Sequence, residues 1–392
     1  MGIRIGVFFG GRSVEHEVSI ISAMQAIRAF DKGKYDITPV YIDKAGDMRV
    51  GDGMDAIESY RDIALLKARS RRVVLVRDAN RFLLLRLPPR RFATSVEAEL
   101  DLAFPVVHGT TVEDGDLQGV FKTVGIPFAG CDVAASALGM DKYYMKAALR
   151  YGGLPALDGV RIRSRAFFRD VARTLTEIEA SSAYPVIVKP VNLGSSVGIR
   201  KAADRDELRE ALEYAFTFAD TALVERAIQD LREINCAVLG DEDEAVASEC
   251  EEPINTDAIL SYADKYGSGG KSGGKGMSGA KRRLPADISP ATRETIRDLA
   301  VRTFRALGCN GVARIDFLMD GADGGIWVNE INTIPGSLSF YLFEKVGIPY
   351  TELLDRMVAL ALKRRREAME ITHEYDTNIL SNFAAGSKGV KR

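Results

Sequence analysis

Residues 3–9, Ile-Arg-Ile-Gly-Val-Phe-Phe, make a strand-like apolar run that ends on Gly10-Gly11 and leads into a helical apolar period from Val14 to Phe30. A buried strand, a tight turn and then a helix form the opening unit of a parallel sheet covered by helices. Strand-like stretches 37–42 and 100–107 extend the pattern. In such folds the active groups gather beyond the carboxyl ends of the strands. That rule brings Glu15 and His108 to one edge, since each follows a strand. The glycine-rich turn also invites a dinucleotide reading. Gly10-Gly11-Arg12-Ser13-Val14-Glu15 lacks the G-x-G-x-x-G spacing, however, so no nicotinamide cofactor is expected.

At 392 residues the chain exceeds the span of one hydrophobic core, and two or three domains are expected. Fifty-three basic and 55 acidic residues leave a net charge of −2, which gives no general pull toward nucleic acid or anionic membrane. The N-terminus has no basic segment followed by a long apolar one, so no signal peptide is expected. Gly6 stands where a myristoylation motif wants Ser or Thr. No apolar run is long enough to span a bilayer. Cys131, Cys236, Cys250 and Cys309 form no C-x-x-C pair and read as free thiols, which points to the cytoplasm.

A second region begins near Cys131. Asp141-Lys142 opens a helix to about Tyr151, a strand ends at Lys189, and residues 204–219 read as a helix capped by Asp204. A third region carries strands near 233–239 and 245–251, a helix over 290–307, strands 311–319 and 325–330, and C-terminal helices. The Gly/Ser/Lys-rich stretch 267–279 cannot bury much apolar surface and is expected to be a mobile loop. Residues 384–392 read as a frayed tail.

The strongest chemical cluster is Arg314-Ile-Asp316 followed by Asn329-Glu330-Ile-Asn332. Residues two apart on a strand share a face, so each pair projects together. Carboxylate and amide oxygens of this kind suit Mg²⁺, and a nearby arginine suits a transferring phosphoryl group. The bland alternative is an ion-paired sheet edge, because buried charges need partners in any case. Gly336, within Pro335-Gly336, brings a backbone N–H close to a reacting oxygen, or simply makes a turn.

A second cluster is Lys189 with Gly194-Ser195-Ser196-Val197-Gly198, small residues whose N–H groups can cradle phosphates beside a lysine. It is not a Walker A loop, and taken alone it reads equally as a hairpin turn. In a third, His108-Gly109 enters an acidic loop through Glu113 and Asp114. His108 would orient a substrate carboxylate or serve as a satisfied structural residue. No other His or Cys lies at metal-ligand spacing. No G-x-S-x-G elbow supports a side-chain nucleophile, so phosphoryl transfer fits better.

Taken in order, these clusters resemble the D-alanine–D-alanine ligase family of the ATP-grasp superfamily. The resemblance spans Gly10-Gly11-Arg-Ser-Val-Glu15-His-Glu-Val-Ser19, the His108 loop and Met140-Asp141-Lys142. It continues through Lys189-Pro190, Gly194–Gly198, Lys265-Tyr266, Arg314-Ile-Asp316 and Asn329–Gly336. The implied fold is α/β, with α+β character in the ATP-grasp part and a Rossmann-like parallel sheet in the N-terminal domain. The implied domains are residues 1–130, which bind substrate, and two ATP-grasp subdomains, 131–227 and 228–392, with a lid loop at about 255–288.

The resemblance also implies the chemistry. ATP phosphorylates the carboxylate of one D-alanine, and the amine of a second displaces phosphate to give D-alanyl-D-alanine for peptidoglycan synthesis. Glu15 would hold the first ammonium with Ser195 and Tyr266, and His108 would lie near the first carboxylate. Arg314 and the Gly336 N–H would stabilise the tetrahedral intermediate. Lys142, Lys189 and Ser196 would meet the phosphates, and Glu225 and Glu233 the adenine and ribose. Lys265 would contact the γ-phosphate or the second carboxylate. Asp316, Glu330 and Asn332 would bind two Mg²⁺ ions, or Mn²⁺. A homodimer is implied, with no nucleic-acid or membrane partner.

The pattern departs from the family at four places. Val112 stands where the His-Gly loop usually has glycine, and Arg226-Ala227 replaces a Lys-Trp-like hinge. The loop after Tyr266 is longer and richer in Gly and Lys. Tyr341 occupies the position of a serine that would bind the second carboxylate. An intact Lys265-Tyr266 favours an amine acceptor over D-lactate, with D-alanine placed ahead of D-serine. A non-catalytic nucleotide-binding protein is the reading from another class, and the Asp316/Glu330/Asn332 set argues against it.

Overall fold

The computed structural model describes residues 2–91, 93–194, 197–254 and 282–372. Ser195, Ser196, Lys265, Tyr266, the stretch 267–279 and the tail 384–392 lie outside the described residues. Three sheets organise the rest.

The first sheet contains β1 (Ile3–Gly10), β2 (Tyr35–Ile42), β3 (Met48–Val50), β4 (Arg71–Asp78), β5 (Arg81–Leu87), β6 (Val96–Leu100) and β7 (Leu102–Pro105), in the order β6-β5-β4-β3-β2-β1-β7. β1 pairs in parallel with β2 and with β7, as the strand–helix alternation predicts. From β2 to β6 the pairing is antiparallel. This second half is not foreshadowed by the alternation, because antiparallel neighbours need no crossover helix. The single strand expected over 100–107 is divided at Asp101, whose carboxylate receives the Arg4 N–H at 2.8 Å and its guanidinium at 2.6 Å. Helix α1 (His16–Ala29) lays Ile20, Ala23, Met24 and Ile27 on this sheet at the i, i+3, i+4, i+7 spacing of one helix face.

The second sheet contains β8 (Gly159–Arg163), β9 (Val186–Pro190), β10 (Arg200–Ala202) and β11 (Thr221–Arg226), in the order β10-β9-β11-β8. Its core is its own, built from residues such as Phe167, Val188, Leu208 and Val224. The third contains β12 (Leu231–Gly240), β13 (Ala245–Pro253), β14 (Arg282–Arg283), β15 (Gly311–Asp320) and β16 (Ile326–Asn332), in the order β14-β13-β12-β15-β16. Met145 and Leu149 pack into the core of this third sheet. The C-terminal helix Tyr350–Met369 instead buries Leu353, Leu354, Met357 and Val358 in the core of the first sheet. Chain order and packing order therefore differ at both ends of the third sheet. All four cysteines are buried free thiols, as expected. Among the described residues no helix is long and apolar enough to cross a membrane.

The turn that closes β1 sets the site. The Gly10 N–H donates to Ser19 Oγ at 2.7 Å, and Ser19 Oγ–H donates to the Val106 carbonyl at 2.6 Å. One buried hydroxyl thus ties the first strand, α1 and the exit of β7 together. Gly10 has φ +92°, and a Cβ there would sit 2.2 Å from the Ile42 carbonyl oxygen. Both the conformation and the backbone contact exclude a side chain. Gly10→Ala is expected to destabilise the fold by about 2–4 kcal/mol, read as the shift in urea midpoint at unchanged m.

Candidate active site

Glu15 sits at the N-terminal edge of α1 and is 7% exposed. A Cβ built on Gly109 or on Gly194 would lie 3.1 Å from Oε2 of its carboxylate, so both loops close on it. That places the loop leading to Ser195 beside Glu15. Val112, the first departure from the family pattern, fills space that Gly11 leaves open: a Cβ on Gly11 would be 2.6 Å from its Cγ1.

His108 is buried, and both its ring nitrogens are engaged. Nδ1 lies 2.8 Å from the Ile334 carbonyl and Nε2 2.9 Å from Ser22 Oγ. The Ile334 oxygen can only accept, so Nδ1 carries the proton and Ser22 donates to Nε2. Ser22 Oγ in turn accepts the Ser337 N–H at 2.9 Å. Burial, the largest influence, pushes the imidazole pKa below its ordinary value and keeps the ring neutral. His108 therefore touches the Pro335-Gly336 segment from behind rather than offering a free ring nitrogen.

Glu113 makes the matching tie. Its carboxylate accepts the Gly109 N–H at 2.9 Å and the Ile334 N–H at 3.0 Å, joining the His108 loop to the segment after β16. That segment then turns through Ser337, Leu338 and Ser339 with φ of 54°, 51° and 50°. Each non-glycine left-handed residue costs about 1–2 kcal/mol, so these surrounding bonds hold a strained arc beside Gly336.

On the third sheet, Arg314 and Asp316 share a face as expected. Arg314 Nε and Nη2 donate to the two oxygens of Asp316 at 2.6 and 2.7 Å. Burial opposes the charge on Arg314, but Asp316 outweighs it and holds the guanidinium protonated above its ordinary range. Asn332 Nδ2 donates to Asp316 Oδ2 at 3.1 Å, and Glu330 is the register partner of Asp316. The pairing Glu330–Asp316–Asn235–Glu251 then runs straight across the sheet on one face. Tyr341, 7% exposed, donates to Glu251 at 3.0 Å beneath Arg282, which itself reaches Glu251 at 2.9 Å. Burial first, and Glu251 second, raise the phenol pKa. Among the described residues no three His, Cys, Asp or Glu side chains converge as a metal cage. Asp316, Glu330 and Asn332 are instead two carboxylates and an amide on adjacent strands, hard-oxygen donors of the kind that suits Mg²⁺.

Helices α2 (Ile63–Arg69), α3 (Asp116–Val124) and α4 (Val133–Met140) precede α5 (Lys142–Tyr151), which carries two buried lysines one turn apart. Lys142 Nζ donates to the Leu193 carbonyl at 2.6 Å and lies 3.1 Å from Glu330. Lys189, on β9, reaches Asn329 at 3.1 Å and Glu225 at 2.5 Å. Lys146 closes on the other oxygen of Glu225. Burial, only partly offset by Glu225, pushes the Lys146 ammonium down to about 7. Glu225 feels burial most, yet the two lysines reverse that effect and keep its pKa low. Glu225, expected at the adenine or ribose, is thus 1% exposed and enclosed by two ammonium groups. Glu233 lies half-buried on β12, opposite Leu318. Arg226, the second departure, stacks over Trp327 at 4.7 Å.

A family model described as the D-ala D-ala ligase N-terminus matches residues 4–131, and one described as its C-terminus matches residues 149–359. The chain belongs to the D-alanine–D-alanine ligase family. A D-alanine–D-alanine ligase of Acetivibrio thermocellus is 38% identical, covering 95% of this chain and 98% of that protein. The solved structure of the D-alanine-D-alanine ligase from Coxiella burnetii aligns with TM-score 0.78 and 30% identity over 94% of this chain and 96% of that one. The VanG D-Ala:D-Ser ligase from Enterococcus faecalis aligns with the same TM-score, 0.78, at 32% identity over 92% of this chain and 100% of that one. The architecture of this ligase is therefore α/β with the ATP-grasp arrangement of its structural relatives.

Within the ligase, Arg314, Asp316, Glu330, Asn332 and Lys189 lie on strands, His108 and Gly336 on the segments that follow strands, Glu15 at the start of α1 and Lys142 at the start of α5. Sequence reasoning missed Ser22, Lys146, Glu251 and Arg282. The four-residue spacing of Lys142 and Lys146 was the one available signal, since it puts both on one helix face. Burial first, then Glu15, raises the Glu113 pKa to about 8. A folded pKa raised above 4.5 contributes stability below that pH and loses it as pH rises through about 8. Urea melts from pH 5 to 8 are expected to show a smaller loss of stability in Glu113→Gln than in the wild type.

Proposed function

We propose that the protein joins two molecules of D-alanine to D-alanyl-D-alanine at the expense of ATP, through an acyl phosphate, and so supplies a peptidoglycan precursor. The convergence of buried Lys142 and Lys189 on Glu330 and Asn329, next to the Arg314–Asp316 pair, carries this reading. It is a cationic recess bordered by hard oxygen donors, which is what a nucleotide triphosphate and its metal require.

In this reading Lys142 and Lys189 take the ATP phosphates, with Ser196 in the covering loop, and Glu233 takes the ribose. Glu225 and Lys146 act through Lys189: Lys146 shares the carboxylate that would otherwise neutralise Lys189 alone. Asp316, Glu330 and Asn332 hold two Mg²⁺ ions, with Mn²⁺ as a substitute. The metal would offset phosphate charge, and its donor set fits the oxygens present. Glu15, with Ser195 and Tyr266, holds the first ammonium, and Lys265 closes over the phosphates or second carboxylate. His108 acts by fixing the carbonyl of Ile334 and, through Ser22, the N–H of Ser337. The neighbouring Gly336 N–H then faces the developing oxyanion together with Arg314. Tyr341 borders the acceptor side.

The division into 1–130, 131–227 and 228–392 draws on the separate core of the second sheet, although Met145 and Leu149 belong to the core of the third. Four buried thiols fit the cytoplasm. A homodimer follows the family.

Incubation with D-alanine, ATP and Mg²⁺ is expected to release phosphate and form the dipeptide. Neither product appearing across pH and metal conditions would overturn the reading. A mixed screen with D-alanine and D-serine is expected to give D-Ala-D-Ala as the main product; D-Ala-D-Ser in excess would move the assignment to the alternative acceptor. Asp316→Asn is expected to lower turnover by about a hundredfold or more per folded molecule, the folded fraction being read from the urea midpoint because Arg314 loses its charged partner. Unchanged turnover would remove Asp316 from the metal set.

A further inference from the structure

The chain carries a net charge of −2, yet the 25 residues from Lys67 to Arg91 contain nine basic residues and one acidic, Asp78. The fold gathers much of this charge at the ends of β3, β4 and β5. A cavity of about 410 Å³ opens there, lined by Arg49, Arg71, Arg72, Arg86 and Arg90 with an apolar wall of Leu87 and two prolines. No carboxylate lines it.

The nearest acids are too few. Glu97 is shared among Arg71 at 2.7 Å and Arg86 and Arg90 at 3.7 Å each. Asp43 is taken by Arg49 at 2.9 Å and Lys67 at 2.8 Å. Asp47 lies 3.5 Å from Arg72 and 3.7 Å from Arg49. Five arginines and Lys67 against three carboxylates leave an excess of three positive charges. Arg72, Arg86 and Arg90 have only the long contacts, beyond good hydrogen-bond distance. Their guanidinium groups make no side-chain hydrogen bond among the described residues. Arg49 and Arg72 are direct cross-strand partners as well, an arrangement of like charges that costs stability.

We propose that this cavity is a binding site for a diphosphate group, either as free pyrophosphate or as a nucleoside diphosphate whose base rests on the Leu87–Pro89 wall. Planar guanidinium forks match phosphate oxygens two at a time, and three underused forks around one cavity suit a ligand of about three negative charges. The site is separate from the reaction centre. β4 lies three strands from β1, about 14 Å at ordinary strand spacing; Glu15 and His108 follow β1 and β7, and the other site residues stand on elements other than β3 to β5. The inference does not depend on the proposed ligase reaction.

Calorimetric titration of the full chain with pyrophosphate, without metal, tests the site. Because the recess around Lys189 also takes phosphate, the site is read in the Lys189→Met background, where pyrophosphate binding is expected to persist and where adding Arg72→Gln/Arg86→Gln/Arg90→Gln should weaken it about tenfold or more. Glu97→Gln releases guanidinium capacity and should bind about threefold tighter, which gives a second readout if the triple variant folds poorly. Dipeptide formation without added pyrophosphate should be unaffected in the triple variant. Repeating the titration with cytidine diphosphate in the Lys189→Met background separates the two sources: tighter binding than pyrophosphate identifies a nucleotide, equal binding the free anion. Equal pyrophosphate affinity in Lys189→Met with and without the three arginine substitutions would overturn the proposal. Loss of binding in Lys189→Met alone would overturn it too, because the anion would then occupy the reaction centre. A single-stranded RNA of about twenty nucleotides binding a hundredfold tighter through the same arginines would replace a small-ligand site by a nucleic-acid surface.

Discussion

Three ammonium groups and two carboxylates share a nearly water-free space between α5, β9, β11 and β16, and the rest of the site is arranged around that compensation. An uncompensated buried charge costs several kcal/mol, so none of the five can be moved without its partners. Lys142, Lys146, Lys189, Glu225 and Glu330 leave one positive charge in excess when Lys146 is protonated. A recess with that surplus is ready for phosphate, whereas a fully neutral one would gain little from it. The depressed pKa of Lys146 has the same origin, since burial acts on it more strongly than Glu225 restores it.

The second constraint is mechanical. His108, Ser22 and Glu113 come from the first sheet and its connections, and all three bind the backbone of residues 334–337. The strained left-handed arc after Gly336 therefore reports the position of the first sheet to the third. Helix Tyr350–Met369 reinforces the link by returning to the core of the first sheet. Glu15 and Arg314 are thus built on one continuous framework, which is what precise positioning of a transferring group demands.

Much of this was legible in the order of residues. The parallel pairing of β1 with β2 and β7 follows from the apolar runs and the helix between them. The shared face of Arg314 and Asp316 follows from the two-residue period of a strand. Gly10 and Gly11 announced a turn, and the structure supplies the reason in the approach of Ile42 and Val112. The antiparallel half of the first sheet was not legible, because strands of seven or eight residues rich in arginine and leucine carry no marker of their neighbours. Nor was the enclosure of Glu225, since a glutamate ending an apolar strand reads the same whether it faces a ligand or two lysines.

Sequence alone determined the family and the strand and helix periods, because these depend on residue type and local spacing. Tertiary structure decided which charges meet. Lys146 joined the site because a four-residue step on α5 faces β11. Asp316 took Asn332 as a partner through register across β15 and β16. The arginines of residues 49–90 became one cavity because three strand ends coincide. Contacts of this kind join residues far apart in the chain, and their energies depend on burial and distance, which no local pattern encodes.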